Sequence, residues 1–336
     1  MKKLNVAVVG TGFMGMVHLE AWRYVKNANV VYVVSRNSKK SYEVASKYGV
    51  DIITDYEAAL KRRDVDIIDI CVPTYLHMEY AEKALENNKH VLLEKPIANT
   101  LEDAEKIVRK ASKSTVKLMV LHVLRYFSEY REARNAVKEG QIGDIRHMRA
   151  IRRGAFPTWG EWYSDPCKSG GVTVDLAIHD VDFFLWCMND KITKVYCKEN
   201  KIRKNEIPDH AIIIIHFRNS AIAHIEAGWN MPPNAPFTMS MEIYGTGGMI
   251  RYNNLDRFPI ELITDNGYTK HAPNTLPYSP SILPFPIDPY TAELQEFINS
   301  IINDVDIPIS AEEALESLKI CLTARRSAEL GKPIII

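Results

Sequence analysis

The first 124 residues alternate between two kinds of segment. Short apolar runs rich in β-branched residues occupy 4–10, 30–35, 65–72, 90–95 and 117–124. Between them lie stretches with an apolar residue every three or four positions, such as MVHLEAWRYV and LEDAEKIVRKASKS. The apolar runs are typical of strands buried on both faces, and the wider spacing is typical of helices with one buried face. Strand followed by helix, repeated along the chain, predicts a doubly wound parallel sheet of the Rossmann type in an α/β protein.

After about residue 122 the pattern changes to strand-like runs, often without an intervening helix: IRHMRAIRR, KITKVYCK, HAIIIIHF, AIAHIEAGW and TMSMEIYGTGG. These runs predict an α+β domain with a large, mostly antiparallel sheet. A segment rich in proline and glycine, about 252–290, is predicted to be a loop. A helical tail follows, with Ser310 as N-cap and Gly331 as its stop. The predicted domains are 1–122 and 123–336, with the C-terminal helix packing back on the first.

Composition narrows the class of partner. Among 336 residues, 42 basic side chains balance 42 acidic ones, so no net field attracts nucleic acid or anionic lipid. No apolar run reaches the roughly 18–20 residues of a membrane span, and a cytoplasmic location is expected. The five cysteines are scattered and form no CxxC pair, which favours buried, reduced thiols over a metal or redox site.

A glycine-rich segment, Gly10-Thr11-Gly12-Phe13-Met14-Gly15, follows the first strand and opens the first helix. In that context Gly10 permits a tight turn, Gly12 lets the backbone approach a pyrophosphate, and Gly15 lets the helix pack on the strand. The helix N-terminus offers N–H groups to the phosphates. The segment therefore predicts a dinucleotide site that includes Phe13 and Met14, the alternative being a glycine turn of structural use alone.

The end of the second strand bears on the choice of cofactor. An NAD-preferring site usually has an acidic residue there for the ribose 2′-hydroxyl, but this segment reads VVSRNSKK. Ser35 and Arg36, with Asn37, Lys39 and Lys40 nearby, can hold a 2′-phosphate, since a guanidinium forks onto phosphate oxygens. NADP is modestly favoured over NAD. The alternative is that Arg36 stacks on the adenine or faces solvent.

Two further segments, CVPTYLH and VLLEKPIANT, lie where predicted strands end at the carboxyl edge of the sheet. Sheets of this kind bind their ligands on that side. With these segments the chain resembles the family of glucose–fructose oxidoreductase and inositol dehydrogenase, written Gfo/Idh/MocA. The resemblance covers nearly the whole chain. Four features carry it: the glycine-rich start, Val72-Pro73-Thr74 with His77, the tripeptide Glu94-Lys95-Pro96, and a GGxxxDxxxHxxD segment at 170–182.

The resemblance implies that Lys95 projects between nicotinamide and substrate. A lysine in such a place can stabilise a developing alkoxide and hold the reacting oxygen. We expect Glu94 to bind the cofactor ribose, and Pro96, with a cis bond to Lys95, to fix the lysine. The alternative is a surface Glu–Lys pair after an edge strand. Pro73, Thr74 and His77 are expected beside the cofactor, with Arg125 and Tyr126 near the nicotinamide or substrate.

The segment SGGVTVDLAIHDVDFFLW is predicted to be one apolar helix that places Asp175 and His179 on a single face. Ionisable groups on a core-like helix are costly unless paired or used. The imidazole of a histidine has an unperturbed pKa of about 6.5 and can accept a proton from an alcohol. His179 is therefore predicted to be the general base, and Asp175 to orient it or bind a substrate hydroxyl. Asp180 and Asp182 are expected to be structural. No metal-binding spacing appears, so no metal is expected.

The segment FPTWGEWYSDP is predicted to be a loop, and its Trp162 is a candidate for substrate binding. Trp159 and Trp162 equally suit an interface between domains or subunits. Together these patterns predict an NAD(P)-dependent oxidoreductase acting on a secondary hydroxyl of a sugar, inositol or sugar nucleotide. A reductase of a non-sugar substrate and a non-catalytic dinucleotide sensor are the alternatives. Alternate apolar residues of HAIIIIHF and AIAHIEAGW predict a homodimer or homotetramer formed through the C-terminal sheet.

Overall fold

The computed structural model describes residues 3–36, 38–203, 207–256, 259–264, 267–271 and 288–336. The contacts within it divide the chain into two compact units. Among the described residues, the first unit holds 3–126 and 288–315, and the second holds the described part of 127–271 together with 316–336. Each unit has its own sheet.

The first unit is built on six parallel strands in the order β3-β2-β1-β4-β5-β6, which confirms the predicted Rossmann sheet. Its elements up to residue 121 are β1 Leu4–Val9, α1 Phe13–Trp22, β2 Ala28–Val34, α2 Lys39–Tyr48, β3 Asp51–Ile53, α3 Tyr56–Leu60, β4 Ile67–Ile70, α4 His77–Glu86, β5 His90–Glu94, α5 Leu101–Ala111 and β6 Leu118–Leu121. Only the short, partly exposed β3 lacked a strand pattern in the sequence.

The strand order creates a crevice in this sheet. From β1 the chain runs outward through β2 and β3, and then returns to place β4 on the other side of β1. The connections after β1 and β4 therefore diverge at the carboxyl edge, which is where doubly wound sheets bind their ligands. The glycine-rich segment follows β1, and the Val72-Pro73-Thr74 segment follows β4.

The second unit has nine strands in the order β14-β13-β12-β11-β7-β10-β9-β8-β15, all antiparallel except the pair β7 and β10. The elements that follow β6 are α6 Ser128–Lys138, β7 Ile145–Arg153, α7 Pro166–Ser169, α8 Gly171–Asp175, α9 Ile178–Met188, β8 Ile192–Asn200, β9 His210–Phe217, β10 Ile222–Gly228, β11 Thr238–Gly245, β12 Gly248–Asn253, β13 Ile260–Thr264, β14 Gly267–His271, α10 Asp288–Ile302, α11 Ala311–Leu330 and β15 Ile334–Ile335. This confirms the mostly antiparallel sheet. Helix α10 belongs to the first unit, and α11 begins there and ends in the second.

Two expectations about local structure are corrected. The predicted loop at 252–290 contains the strands β13 and β14, whose backbones pair with each other; residues 272–287 of that prediction lie outside the described part. The predicted single helix within residues 169–186 is two helices, α8 and α9, separated by a turn at Leu176 and Ala177. At this turn the amide of Ala177 donates to the carbonyl of Val172, five residues back, so the regular helical ladder is interrupted.

The predicted ends of α11 are confirmed. Ser310 Oγ accepts the amide N–H of Glu313, and Glu313 Oε2 accepts that of Ser310, which together form a capping box. Gly331 follows the helix with a φ of 65°. Within the described ranges, no helix combines the length and the apolar character that a membrane span requires. Four of the five cysteines are buried as expected, whereas Cys167 is exposed.

Candidate active site

The glycine-rich segment forms a turn that only glycine fits well. Gly10 has a φ of 109°, and a Cβ there would lie 2.5 Å from the carbonyl oxygen of Cys71. A Cβ at Gly15 would lie 2.0 Å from the carbonyl oxygen of Gly10. A Cβ at exposed Gly12, by contrast, would meet nothing within 4 Å, and no side chain caps α1. Open space beside an uncapped helix start suits a pyrophosphate, and Phe13 and Met14 lie partly exposed at that start.

Hydroxyl groups line the carboxyl end of β2. Ser35 Oγ lies 3.0 Å from Thr11 Oγ1 and 2.9 Å from Ser41 Oγ, and Ser38 Oγ lies 2.7 Å from Ser41 Oγ. Ser38 also caps α2 by accepting the amide of Ser41. This network joins the glycine-rich turn to the start of α2. Ser35 is partly exposed and Arg36 is exposed, so the end of β2 is polar rather than acidic.

The basic side chains predicted near a 2′-phosphate lie at the same end. Lys39 and Lys40 begin α2, and both are exposed, as Arg36 is. Asn37 lies outside the described residues. This end of the crevice therefore carries positive charge, and the described residues of the 35–41 segment include no carboxylate.

His77 joins two backbone segments at the carboxyl edge of the sheet. Its Nδ1 lies 2.8 Å from the carbonyl oxygen of Pro96, and its Nε2 lies 3.0 Å from that of Val72. Burial lowers the pKa of His77, so the ring is neutral at pH 7 and donates through one nitrogen at a time. Pro73 lies partly exposed and Thr74 buried between these anchors. Direct cofactor contact by His77 and Thr74 stays a prediction.

The tripeptide Glu94-Lys95-Pro96 closes β5, and its Lys95–Pro96 bond is cis as expected. From Val91 to Ala98, Lys95 is the one residue that is not buried. Glu94 turns back on the chain, and its Oε2 accepts the amide N–H of Lys95 at 3.0 Å. The lysine therefore leaves the end of a buried strand from a backbone held by the preceding carboxylate.

A buried ionic cluster behind Glu94 was missed by the sequence reasoning. His18, on α1, places Nδ1 3.0 Å from Oδ1 of Asp69 and Nε2 3.1 Å from Oε1 of Glu94. Trp22 Nε1 donates to Asp69 Oδ2 at 2.7 Å, and Cys71 Sγ lies 3.2 Å from His18 Nδ1. A signal was present, because Asp69 interrupts the apolar run VDIIDICV and a buried carboxylate needs a partner.

The charge state of this cluster follows from its contacts. Burial alone would lower the pKa of His18, but the charge of Asp69 and the hydrogen bonds to Asp69 and Cys71 raise it well above its ordinary 6.5. Burial raises the pKa of the Cys71 thiol, so the carboxylate is the effective anion. His18, Asp69 and Cys71 also have donor atoms within 4.8 Å of one another, as in a metal site. Their mutual hydrogen bonds account for that spacing, and the expectation of no metal stays a prediction.

Arg125 and Tyr126, predicted near the nicotinamide or substrate, are both buried in the first unit. Arg125 Nη1 lies 2.8 Å from Oε1 of Glu313, the capping residue of α11. Arg125 therefore fixes the start of that helix. Substrate contact by either residue stays a prediction.

Asp175 and His179 lie on different helices of the second unit, so their spacing is not that of one continuous helical face. Gly170 and Gly171 precede Asp175 with φ values of 78° and 71°. From residue 171 to 184, His179 is the one residue that is not buried. An imidazole reaching the surface of an otherwise buried segment can exchange protons, as a general base requires.

Asp180 and Asp182 have structural partners, in agreement with the expectation for them. Asp180 forms a two-pronged ion pair with Arg152, with Nε–Oδ2 and Nη2–Oδ1 distances of 2.8 and 2.9 Å. Asp182 Oδ1 accepts the hydroxyl of Ser317 on α11 at 3.1 Å. Both carboxylates are buried.

Trp162 belongs to an aromatic cluster of the second unit. It stacks on Tyr163 with ring centroids 4.0 Å apart, and Trp159 donates to the Tyr163 hydroxyl at 3.2 Å. Tyr163 in turn meets the edge of Trp229. Trp159 is 56% exposed and Trp162 is partly exposed, so the cluster presents aromatic faces at the surface. Substrate binding by Trp162 stays a prediction.

Comparison with known proteins identifies the family to which both parts of the chain are similar. The family described as oxidoreductases with an NAD-binding Rossmann fold, GFO_IDH_MocA, matches residues 4–122, and the GFO/IDH/MocA C-terminal domain matches 130–251. The myo-inositol 2-dehydrogenase of Thermotoga maritima is 23% identical over 332 residues, covering 97% of this chain and 96% of that protein. The inositol 2-dehydrogenase of Rhizobium meliloti is 24% identical over 338 residues, covering 99% of each. A structure of levoglucosan dehydrogenase with NADH and L-sorbose superposes with a TM-score of 0.89 at 22% identity, covering 100% of this chain and 99% of that one.

Proposed function

Because the chain belongs to the Gfo/Idh/MocA family of NAD-binding oxidoreductases, we propose that it transfers a hydride between nicotinamide C4 of NAD(P) and a secondary hydroxyl or keto group of a sugar, an inositol or a sugar nucleotide. One observation carries the proposal: Lys95 emerges from a buried strand end at the same sheet edge as the glycine-rich turn. The named relatives, two of which are inositol dehydrogenases, support a polyhydroxylated substrate.

The residues of the first unit fit a dinucleotide. The open space at Gly12 and the uncapped start of α1 would take the pyrophosphate, with Phe13 and Met14 beside it. Ser35 and Arg36 would lie by the adenosine ribose, and Glu94 and Pro73 by the nicotinamide ribose. The bound cofactor supplies a hydride acceptor or donor.

The chain's own side chains supply charge and proton transfer. Lys95, as an ammonium, stabilises the negative charge that develops on the reacting oxygen and holds that oxygen in place. His179 takes the hydroxyl proton during oxidation and returns it during reduction. Asp175 orients His179 or accepts a hydrogen bond from a second substrate hydroxyl. Electrostatic support from the lysine removes the need for a metal in this step.

A substrate panel tests the proposal. Purified protein is supplied with NAD⁺ or NADP⁺ and with myo-inositol, scyllo-inositol, levoglucosan or a UDP-sugar, and the appearance of reduced nicotinamide is followed by its absorbance. Turnover of at least one compound, lost in Lys95→Ala, is expected. Cofactor binding without turnover of any alcohol or ketone would instead favour the dinucleotide sensor. Oxidation of a dihydrodiol by NADP⁺, or reduction of a tetrapyrrole by NADPH, without turnover of any sugar or inositol would favour the non-sugar reductase.

We propose NADP as the preferred cofactor. The support is electrostatic: Arg36, Lys39 and Lys40 are exposed at the end of β2, where Ser35 takes the usual place of an acidic residue. A clear preference for NAD⁺ in the panel would contradict this choice.

We also propose a cytoplasmic homodimer or homotetramer that pairs through the second sheet. Along β9 the buried residues alternate with partly exposed ones that include Ile212 and Ile214, and on β10 Ile222 is 38% exposed. Apolar groups repeated on one sheet face are costly to leave in water. Light scattering at micromolar concentration should give a multiple of the 38.3 kDa chain mass, and Ile214→Asp should lower it; a monomeric wild-type mass would refute the proposal.

A further inference from the structure

Glu94 is held on two sides. Its Oε2 accepts the amide N–H of Lys95, and its Oε1 lies 3.1 Å from Nε2 of His18. The other nitrogen of His18 lies 3.0 Å from both carboxylate oxygens of Asp69. The exposed fractions of His18, Asp69 and Glu94 are 1%, 0% and 7%. A chain of contacts therefore runs from the middle of β4 through α1 to the backbone of Lys95.

A cationic imidazole suits this place better than a neutral one. Two buried carboxylates contact the two ring nitrogens, Asp69 on β4 at Nδ1 and Glu94 on β5 at Nε2, and the thiol of Cys71 also contacts Nδ1. A neutral ring has one N–H and would turn a lone pair toward one carboxylate, whereas the imidazolium donates to both. A buried cation between two anions also lowers the electrostatic cost that each carboxylate would bear alone.

The position of His18 on its helix adds a second link. His18 lies one turn after Gly15, whose missing Cβ lets α1 pack on the strand. The same helix therefore carries the candidate pyrophosphate site at its start and the contact to Glu94 one turn further on. A shift of the Glu94 carboxylate would move the amide that it holds, and small displacements of a reacting group are costly in rate.

Resting on the function proposed above, we infer that His18 is a positioning residue for Lys95: by bridging Asp69 and Glu94 it fixes the Glu94 carboxylate, and through that carboxylate the backbone from which Lys95 extends. His18 itself touches neither substrate nor cofactor. Its effect falls on the rate of the reaction rather than on cofactor affinity.

The test compares three variants with wild type. His18→Ala removes the bridge, and His18→Gln keeps an uncharged donor of similar length. Lys89→Met is the matched control: buried Lys89 precedes β5 at its opposite end and donates to the carbonyls of Arg62 and Val65 at 2.7 Å each. Its loss also destabilises the first unit without touching the Glu94 end. Thermal unfolding is recorded for all variants, so that activities are compared among folded proteins.

Two readouts follow. With the compound that wild type turns over, kcat should fall about 100-fold in His18→Ala and less in His18→Gln, while KM for the cofactor stays within about threefold. Independently of any substrate, the acetylation rate of Lys95 by an amine-reactive ester is followed by mass spectrometry. It should change about threefold or more in His18→Ala, because the backbone from which Lys95 extends is then no longer held by the Glu94 carboxylate. Neither quantity should change in Lys89→Met.

The outcomes separate the two proposals. If wild type oxidises or reduces no compound of the panel, the function fails while the acetylation rates still decide the role of His18. Folded His18→Ala protein with wild-type kcat and wild-type Lys95 acetylation would overturn the inference, as would an equal loss in Lys89→Met. If His18→Ala does not fold, His18→Gln decides by the same criteria.

Discussion

In the first unit, Nε2 of His18 lies 3.1 Å from Oε1 of Glu94, so a helix residue that follows the glycine-rich turn contacts the carboxylate that begins the Glu-Lys-Pro segment. This contact is buried, and it is ionic because Asp69 keeps the imidazole protonated. The ionic state makes the stability of the protein depend on pH.

We expect the free energy of unfolding to fall as pH rises above about 6.5. The pKa of His18 is raised in the folded protein, so its stabilising effect is complete below the unfolded value of 6.5 and is lost as pH passes through the folded value. Urea unfolding at several pH values should show the advantage of wild type over His18→Gln shrinking with rising pH. For His77, whose pKa burial lowers, the advantage over His77→Gln should shrink as pH falls. An advantage of wild type over His18→Gln that is constant with pH would contradict the imidazolium.

Gly12 and Gly15 should respond differently to alanine. At Gly15 a Cβ would lie 2.0 Å from a backbone oxygen, so Gly15→Ala should lower the free energy of unfolding by about 1–3 kcal/mol. At Gly12 there is room, so Gly12→Ala should keep wild-type stability but weaken cofactor binding, because the methyl enters the space that we propose for the pyrophosphate. Thermal unfolding and cofactor titration by fluorescence distinguish the two. Equal stability losses would contradict the assignment of Gly12 to the cofactor.

Arg36→Ala should weaken NADPH binding about 10- to 100-fold, because it removes the charge-assisted hydrogen bond that we propose between Arg36 and the 2′-phosphate. NADH binding should change by less than about threefold. Lys47→Ala is the control, since exposed Lys47 lies in the last turn of the same helix α2 and its loss changes the net charge equally. If both variants weaken NADPH binding equally, the effect is one of general charge and Arg36 has no specific role.

Lys95→Ala should lower kcat by about 100-fold or more while cofactor binding remains measurable, because in the proposed mechanism the ammonium acts on the reacting oxygen rather than on the dinucleotide phosphates. Lys113→Ala, which removes an exposed lysine after α5, should leave both quantities unchanged. Steady-state rates and cofactor titrations measure the effect. Near-normal turnover of Lys95→Ala would exclude the proposed mechanism.

Asp180→Ala should destabilise the protein by about 3–5 kcal/mol, because it leaves the buried Arg152 guanidinium without its carboxylate. The double variant Arg152→Met, Asp180→Leu should recover much of this loss, since no buried charge then remains unpaired. Urea unfolding measures both. A stable Asp180→Ala protein that has lost its activity would instead place Asp180 in the chemistry next to His179.

Local signals made the outline of the fold and much of the candidate site predictable. The glycine-rich turn, the lysine after β5 and the capping box of α11 are each specified within a few residues, because backbone conformation and helix capping depend on near neighbours in the chain. The period of the apolar residues identified both sheets for the same reason. The strands β13 and β14 were missed because their pattern is weak and their pairing, not their composition, stabilises them.

Tertiary structure decided which polar residues meet. Along the chain, Asp69 lies 51 residues and Glu94 lies 76 residues from His18. No local sequence pattern predicts that one helix and two strands bring these three side chains together. The break between α8 and α9 likewise arises although the sequence around it favours one helix. The free energy of burying a charge depends on which partner lies beside it in the folded chain, and that partner can come from any distance along the sequence. The sequence by itself therefore determined the kind of sheet and the turn that opens it, and the tertiary structure determined how its buried charges are neutralised.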